Sequence, residues 1–169
     1  MTDSSRDLPC DSPRFAELPM PTLTFFADLS VEVGTPVEVG ATAQGVRRLI
    51  PIVGGNAAGA GWRARVLPGG CDFQLIVSPT LAQLDARYVL ETDAGELIYV
   101  QNRALRSAPA DVMARLQRGE VAPPEQVYFR CTPQFETASP ALAWITTRLF
   151  VGTGQRLPNR VDMRFFALG

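Results

Sequence analysis

Between Thr22 and Gly34 the chain alternates apolar and polar side chains. Leu23, Phe25, Ala27, Leu29, Val31 and Val33 fall on one parity, and Thr24, Asp28, Ser30 and Glu32 on the other. A period of two is that of a β-strand with one face buried and one wet. The pattern then recurs. Strands are predicted at Val37–Thr42, Val46–Val53, Trp62–Leu67, Cys71–Val77, Arg87–Thr92, Leu97–Arg103, Val127–Phe135, Trp144–Val151 and Val161–Leu168. Gly or Pro stands between nearly all of these runs, and Asp93-Ala94-Gly95 reads as a hairpin turn. The cluster from Gly54 to Gly61 reads as a flexible turn between strands, because it lacks the Lys and the following helix of a phosphate loop.

One helix is expected, from about Pro109 to Arg118. Pro109 suits a first turn, Val112, Met113 and Leu116 make an apolar stripe, and Gly119 is the stop. Residues 1 to about 20 are polar and rich in Ser, Asp and Pro, and read as a loose tail. The remainder, 21–169, reads as a single all-β domain. An antiparallel β-barrel of about eight to nine strands, lipocalin-like or allene-oxide-cyclase-like in shape, is the expected architecture. A sandwich fits the same strand count, but closure removes exposed edges.

Two absences narrow the chemistry. The chain has no His, which excludes Ser-His-Asp and Cys-His relays and imidazole metal sites. It has no Lys either, since all 16 basic residues are Arg, which excludes Schiff-base chemistry and the phosphate-loop Lys. No cofactor and no metal are expected. A net charge of −1 argues against nucleic acid as a partner. No apolar run approaches a membrane span. Cys10, Cys71 and Cys131 are odd in number, with no C-x-x-C pair and no signal peptide before them. They read as free thiols of a cytoplasmic protein.

Candidate site residues come from strands with one apolar and one polar-aromatic face. After Gly69-Gly70, Asp72 and Gln74 project to one side, opposite Phe73, Leu75 and Val77. On the strand near 127–136, Tyr128, Arg130, Thr132, Gln134 and Glu136 oppose Val127, Phe129, Cys131, Pro133 and Phe135. Tyr99, Gln101 and Arg103, and Trp144, Thr146 and Arg148, repeat the mixture. Such a face is either solvated or the lining of a cavity, and alternation does not choose between them. As a lining it offers Asp72, Glu136, Glu91 and the three Tyr at 88, 99 and 128 for acid–base work, and Arg as an anion clamp.

Several blocks in order resemble the family called domain of unknown function thirty-two thirty-seven. They are Gly45-Val46-Arg47 with Pro51-Ile52-Val53-Gly54-Gly55, Leu67 to Gln74, Leu84 to Tyr88, Thr92 to Gly95, Phe129 to Thr137, and Phe150 to Gly154. The resemblance covers roughly residues 22 to 168 and implies a compact antiparallel barrel. It departs from the family pattern where Phe73 replaces a usual Trp and Ala104 a usual Gly. It raises the expectation that Asp72, Gln74, Arg130 and Glu136 share a site.

The expected function is small-molecule binding. One form is a cofactor-independent lyase, decarboxylase or isomerase on a small aromatic or acidic substrate. Asp72 and Glu136 would then be acid–base groups and Tyr88 a proton donor, with Arg47, Gln74, Arg130 and Trp144 holding the substrate. The alternative is a non-catalytic ligand-binding or structural barrel. An outward apolar face would also favour a homo-oligomer, most simply a dimer.

Overall fold

A computed structural model describes residues 18–169; the tail and Cys10 fall mostly in residues 1–17, outside that range. Ten strands run in chain order: β1 Leu23–Val33, β2 Val37–Thr42, β3 Gly45–Gly59, β4 Trp62–Val66, β5 Gly70–Ser78, β6 Leu81–Thr92, β7 Leu97–Ser107, β8 Tyr128–Thr137, β9 Phe150–Arg156 and β10 Arg160–Leu168. Every pairing is antiparallel. The order β1-β10-β9-β8-β7-β6-β5-β3 returns to β1, which closes an eight-stranded barrel. The two extra strands share places with members of the ring. β4 sits with β5 between β3 and β6, and β2 continues beside β3 beyond the end of β1.

β3 makes this closure possible. Its first half pairs with β2 and β5, and its second half with β1 and β4. The register shifts between Glu32 and Val33, which pair with Gly54 and Ile52 and leave Val53 as the extra residue beside the glycines. Gly55 holds φ +126°, in the region that favours glycine, and a Cβ there would collide with the Ser30 carbonyl. The expected flexible turn over Gly54–Gly61 is therefore corrected. Residues 54–59 lie within a strand, and the turn itself is Ala60-Gly61. The glycines bend a strand around a corner of the barrel, as a bulge does.

A second bulge lies in β1, between Phe25 and Ala27. It reverses the parity expected for Leu23 and Phe25, which are exposed, and turns Phe26 inward. Phe26 joins Trp62, Phe135, Trp144 and Phe150, with ring centroids 4.8–5.7 Å apart, and these aromatics fill one end of the barrel.

Helix α1 spans Ala110–Gln117 with Pro109 before it, and buries Val112, Met113 and Leu116. The expected strand from Trp144 to Val151 is shorter at its start. Pro140–Thr147 forms 3-10 turns, and β9 begins only at Phe150. Pro140 suits a first helical turn, and Thr146 Oγ1 donates to Ala143 O at 2.8 Å, a local bond that competes with strand pairing.

Candidate functional site

Polar residues on the apolar parity of a strand point into a barrel and must find partners there. Strands β7, β3 and β5 carry several of them. On β7, Asn102 and Arg106 share the parity of the buried Ile98, Val100 and Ala104. On β3, Arg48 shares that of Ile50 and Ile52. On β5, Asp72 and Gln74 are buried, while Phe73 and Val77 are about two-fifths exposed. β5 thus places its polar side inward and its apolar side outward.

Register carries these side chains together. Arg48 pairs with Gln74, Ile50 with Asp72, and Asp72 with Ala86, which in turn pairs with Asn102. Gln74 Nε2 donates to Asp72 Oδ2 at 2.6 Å, and the Asp85 backbone N–H donates to Asp72 Oδ1 at 3.2 Å. Asp72, Tyr88 and Asn102 line a chamber of about 40 Å³ walled by Val31, Ile52 and Met163. That is room for about two waters. Tyr88 Oη and Asn102 Oδ1 have no protein partner there.

Burial pushes the Asp72 carboxyl up from its ordinary 3.8, against the bond from Gln74 and the charge of Arg106. Burial likewise pulls Arg106 down to about 10, aided by the charges of Arg156 and Arg48 and opposed by Asp72. Tyr88 is raised by burial and stays a phenol. Cys131 is pushed up to about 12 by burial, which makes its thiol inert.

The Asp72 shift predicts a pH effect. Its folded pKa lies above its unfolded value, so the folded state holds that proton longer. Stability is therefore lost as pH rises from about 3.8 through the folded pKa. Asp72→Asn removes this loss and keeps an acceptor for the Asp85 N–H. In urea titrations from about pH 4 upward the variant should gain on the native protein until the folded pKa is passed, and the difference should then level off. A difference that does not change with pH would show that burial does not control this carboxyl.

The outer wall carries a second, roomier feature. A groove of about 990 Å³ crosses the outer wall over β3 and β5 to β10 and reaches Leu23 of β1, with Phe73, Leu75, Leu105, Tyr128, Val151 and Phe166 as its apolar part. Arg47, Arg103 and Arg130 supply cations, and Asp85 is its one carboxylate. Burial of Asp85 is outweighed by hydrogen bonds from Arg87 and Gln101 and by the charges of Arg87 and Arg103, so it stays ionised. Arg130 lies 5.2 Å over the Tyr128 ring and donates to Thr153 Oγ1 at 3.1 Å. Leu84 and Ala104, paired across β6 and β7, line both the groove and the inner chamber.

The residues expected to share a site thus divide among four places. Asp72, Gln74 and Tyr88 are inside the barrel. Arg47 and Arg130 are in the outer groove. Glu136 is exposed on the outer face of β8, in register with Tyr99. Trp144 is half exposed over the aromatic end, its centroid 5.7 Å from that of Phe26. No hydrogen bond or salt bridge joins Arg130 to Glu136 or Arg47 to Asp72 among the described residues. Arg48, Asn102 and Arg106 were not among the expected site residues. Their signal was legible, since each is a polar residue on its strand's apolar parity. Among the described residues no cluster of three or more Cys, Asp or Glu is placed to hold a metal. No helix there is long and apolar enough to cross a membrane.

Comparison with known proteins places this geometry. The family model described as "Protein of unknown function (DUF3237)" matches residues 21–168. A UPF0311 protein of Rhodopseudomonas palustris is 41% identical over 133 residues, covering 79% of this chain and 87% of that one. A UPF0311 protein of Clostridium acetobutylicum is 35% identical over 141 residues, covering 83% and 89%. A crystal structure from R. palustris superposes with TM-score 0.86 at 37% identity, covering 89% of this chain and 99% of that one. A structure described as a beta-barrel like protein, from Acinetobacter baumannii, gives 0.78 at 38%, covering 89% and 98%. An enzyme from Penicillium herquei shares the fold at TM-score 0.66 and 18% identity, covering 89% and 97%.

Proposed function

Since the chain belongs to the DUF3237 family, whose barrel it shares, we propose on the geometry of its outer wall that it binds a small acidic molecule with an apolar body. The observation that carries this reading is the groove of about 990 Å³ with three guanidiniums set around apolar side chains. Ligand sites are commonly concave, mostly apolar, and fixed by a few convergent polar groups. Arg binds a carboxylate through two parallel hydrogen bonds, and an aromatic ring fits beside Phe73, Leu105 and Tyr128. A second copy fits this face poorly. A two-fold contact across the groove would bring six guanidiniums together with two carboxylates. The homo-oligomer expected from an outward apolar face would use another surface.

A catalytic reading has its own support. Asp72 lies behind the Leu84–Ala104 wall, raised toward neutrality by burial, with the unpaired Tyr88 hydroxyl lining the same chamber. A carboxyl in that state suits proton transfer without a cofactor, as an isomerase or a lyase needs.

One experiment addresses both. The protein is titrated with small aromatic carboxylates and with their uncharged amides, by thermal shift and calorimetry. A carboxylate at about a hundred times its dissociation constant should add roughly 2.7 kcal/mol, a rise of roughly 5–10 °C. Arg103→Gln and Arg130→Gln should each weaken it about tenfold. No carboxylate shift, or an equal shift from the amides, would sink the binding reading. Mass spectrometry of the recovered ligand then separates the two forms. Unchanged ligand means a carrier or sensor. Conversion that Asp72→Asn abolishes means an enzyme.

A further inference from the structure

The strand register brings three arginines toward one carboxylate inside the barrel. Arg48 lies on the inward parity of β3, and Arg106 on that of β7. Arg156 lies on that of β9, in register with Val161. Among the inward-facing residues of the eight ring strands Asp72 is the one carboxylate, and Gln74 and the Asp85 N–H already occupy its oxygens; Glu38, on β2 beyond the ring, stands opposite Arg48 in register. Arg106 is only 4% exposed, and its Nε has no partner. Arg156 donates to the neutral carbonyls of Arg160 and Pro158, at 3.2 and 3.1 Å. Arg48 Nε lies 3.3 Å from Glu38 Oε1, but without hydrogen-bond alignment, and Glu38 is more than half exposed.

Three guanidiniums against the engaged Asp72 and the solvent-exposed Glu38 leave an excess of positive charge at this end of the barrel interior. Buried charge is costly unless it is paired and hydrogen-bonded. Arg156 and Arg48 both weaken Arg106's hold on its proton, after burial itself and against the larger opposing charge of Asp72. We propose that Arg48, Arg106 and Arg156 form an internal binding site for a small oxyanion, a carboxylate or a phosphate. The site is separate from the groove, whose cations are Arg47, Arg103 and Arg130 on the opposite faces of their strands. The anion would take the free Nε of Arg106 as a donor and enter past Arg156, which is more exposed than Arg106.

The test is calorimetric titration of the full chain, first stripped of anions by dialysis into gluconate at fixed ionic strength. The probes are inorganic phosphate and sodium acetate, taken separately. One saturable site is expected, and the tighter probe tells whether the site is built for phosphate or carboxylate. Arg106→Gln should weaken binding at least tenfold. Arg156→Gln, at a partly exposed position, should do the same and serves if the first variant does not fold. Heats equal to dilution for both probes would overturn the proposal. So would unchanged titrations in both variants. Binding lost in Arg130→Gln instead would place the anion in the groove and overturn it equally.

Discussion

Phe165→Ala is expected to destabilise the protein by about 3–5 kcal/mol. For a domain of this size the melting temperature should fall by roughly 6–20 °C. Phe165 has no exposed surface. Its register partners across the ring are Ala27 on β1 and Gly152 on β9. The ring sits directly over Gly152, where an added Cβ would lie 2.6 Å from Phe165 Cδ1. Small residues on both neighbouring strands therefore make the space that this ring fills. Its removal leaves a void that a closed barrel cannot collapse, because hydrogen-bonded strands hold every wall. Phe166, one residue on, points outward into the groove. Phe166→Ala should cost well under half as much by the same chemical denaturation. Equal losses would mean that the ring filling the barrel carries no special share of its stability.

Gly55→Ala should be the most damaging small substitution, costing about 4 kcal/mol or more. Two effects act together there. The backbone at φ +126° is strained for any residue with a Cβ, and the new methyl would run into the Ser30 carbonyl and come within 3.0 Å of the Val31 Cα. Both obstacles belong to the backbone of β1, so relief means opening the β1–β3 seam that closes the barrel. Gly61 separates the two effects. It holds φ +82° with nothing within 4 Å of a Cβ, so Gly61→Ala should cost only about 1–2 kcal/mol, from conformation alone. Soluble expression and urea midpoints of the two variants, side by side, make the check. A Gly55→Ala protein as stable as Gly61→Ala would mean that the seam is not the tight point of the fold.

Much of the architecture was legible from alternation. β8 runs Phe129, Cys131, Pro133, Phe135 inward and Tyr128, Arg130, Thr132, Gln134 outward, as its parity says. The hairpin at Asp93-Ala94-Gly95 closes with Gly95 N donating to Thr92 O at 2.8 Å. The helix after Pro109 forms where its stripe places it. A glycine run such as Gly54–Gly61 looks the same in a turn as in a bulge. Only the pairing partners of β3 tell them apart. The apolar and β-branched residues of Trp144–Thr147 suit a strand. The local bonds of the Pro140 turn prevailed.

The candidate site was less legible, for a related reason. Alternation sorts a strand into two faces but carries no sign. On β5 the usual rule would send Phe73, Leu75 and Val77 inward, and the barrel does the reverse. The sequence by itself determined the all-β class, most strand positions, and the restriction of its cations to arginine. It also determined that each strand has two distinct faces. Tertiary structure decided which face is inside, and so whether Asp72 and Arg130 share a site or lie on opposite sides of a wall. The physical reason is closure. Once β1 and β3 join, every strand's parity is set by its neighbours' registers, and β5 must follow β3 and β6 even though that buries its polar side.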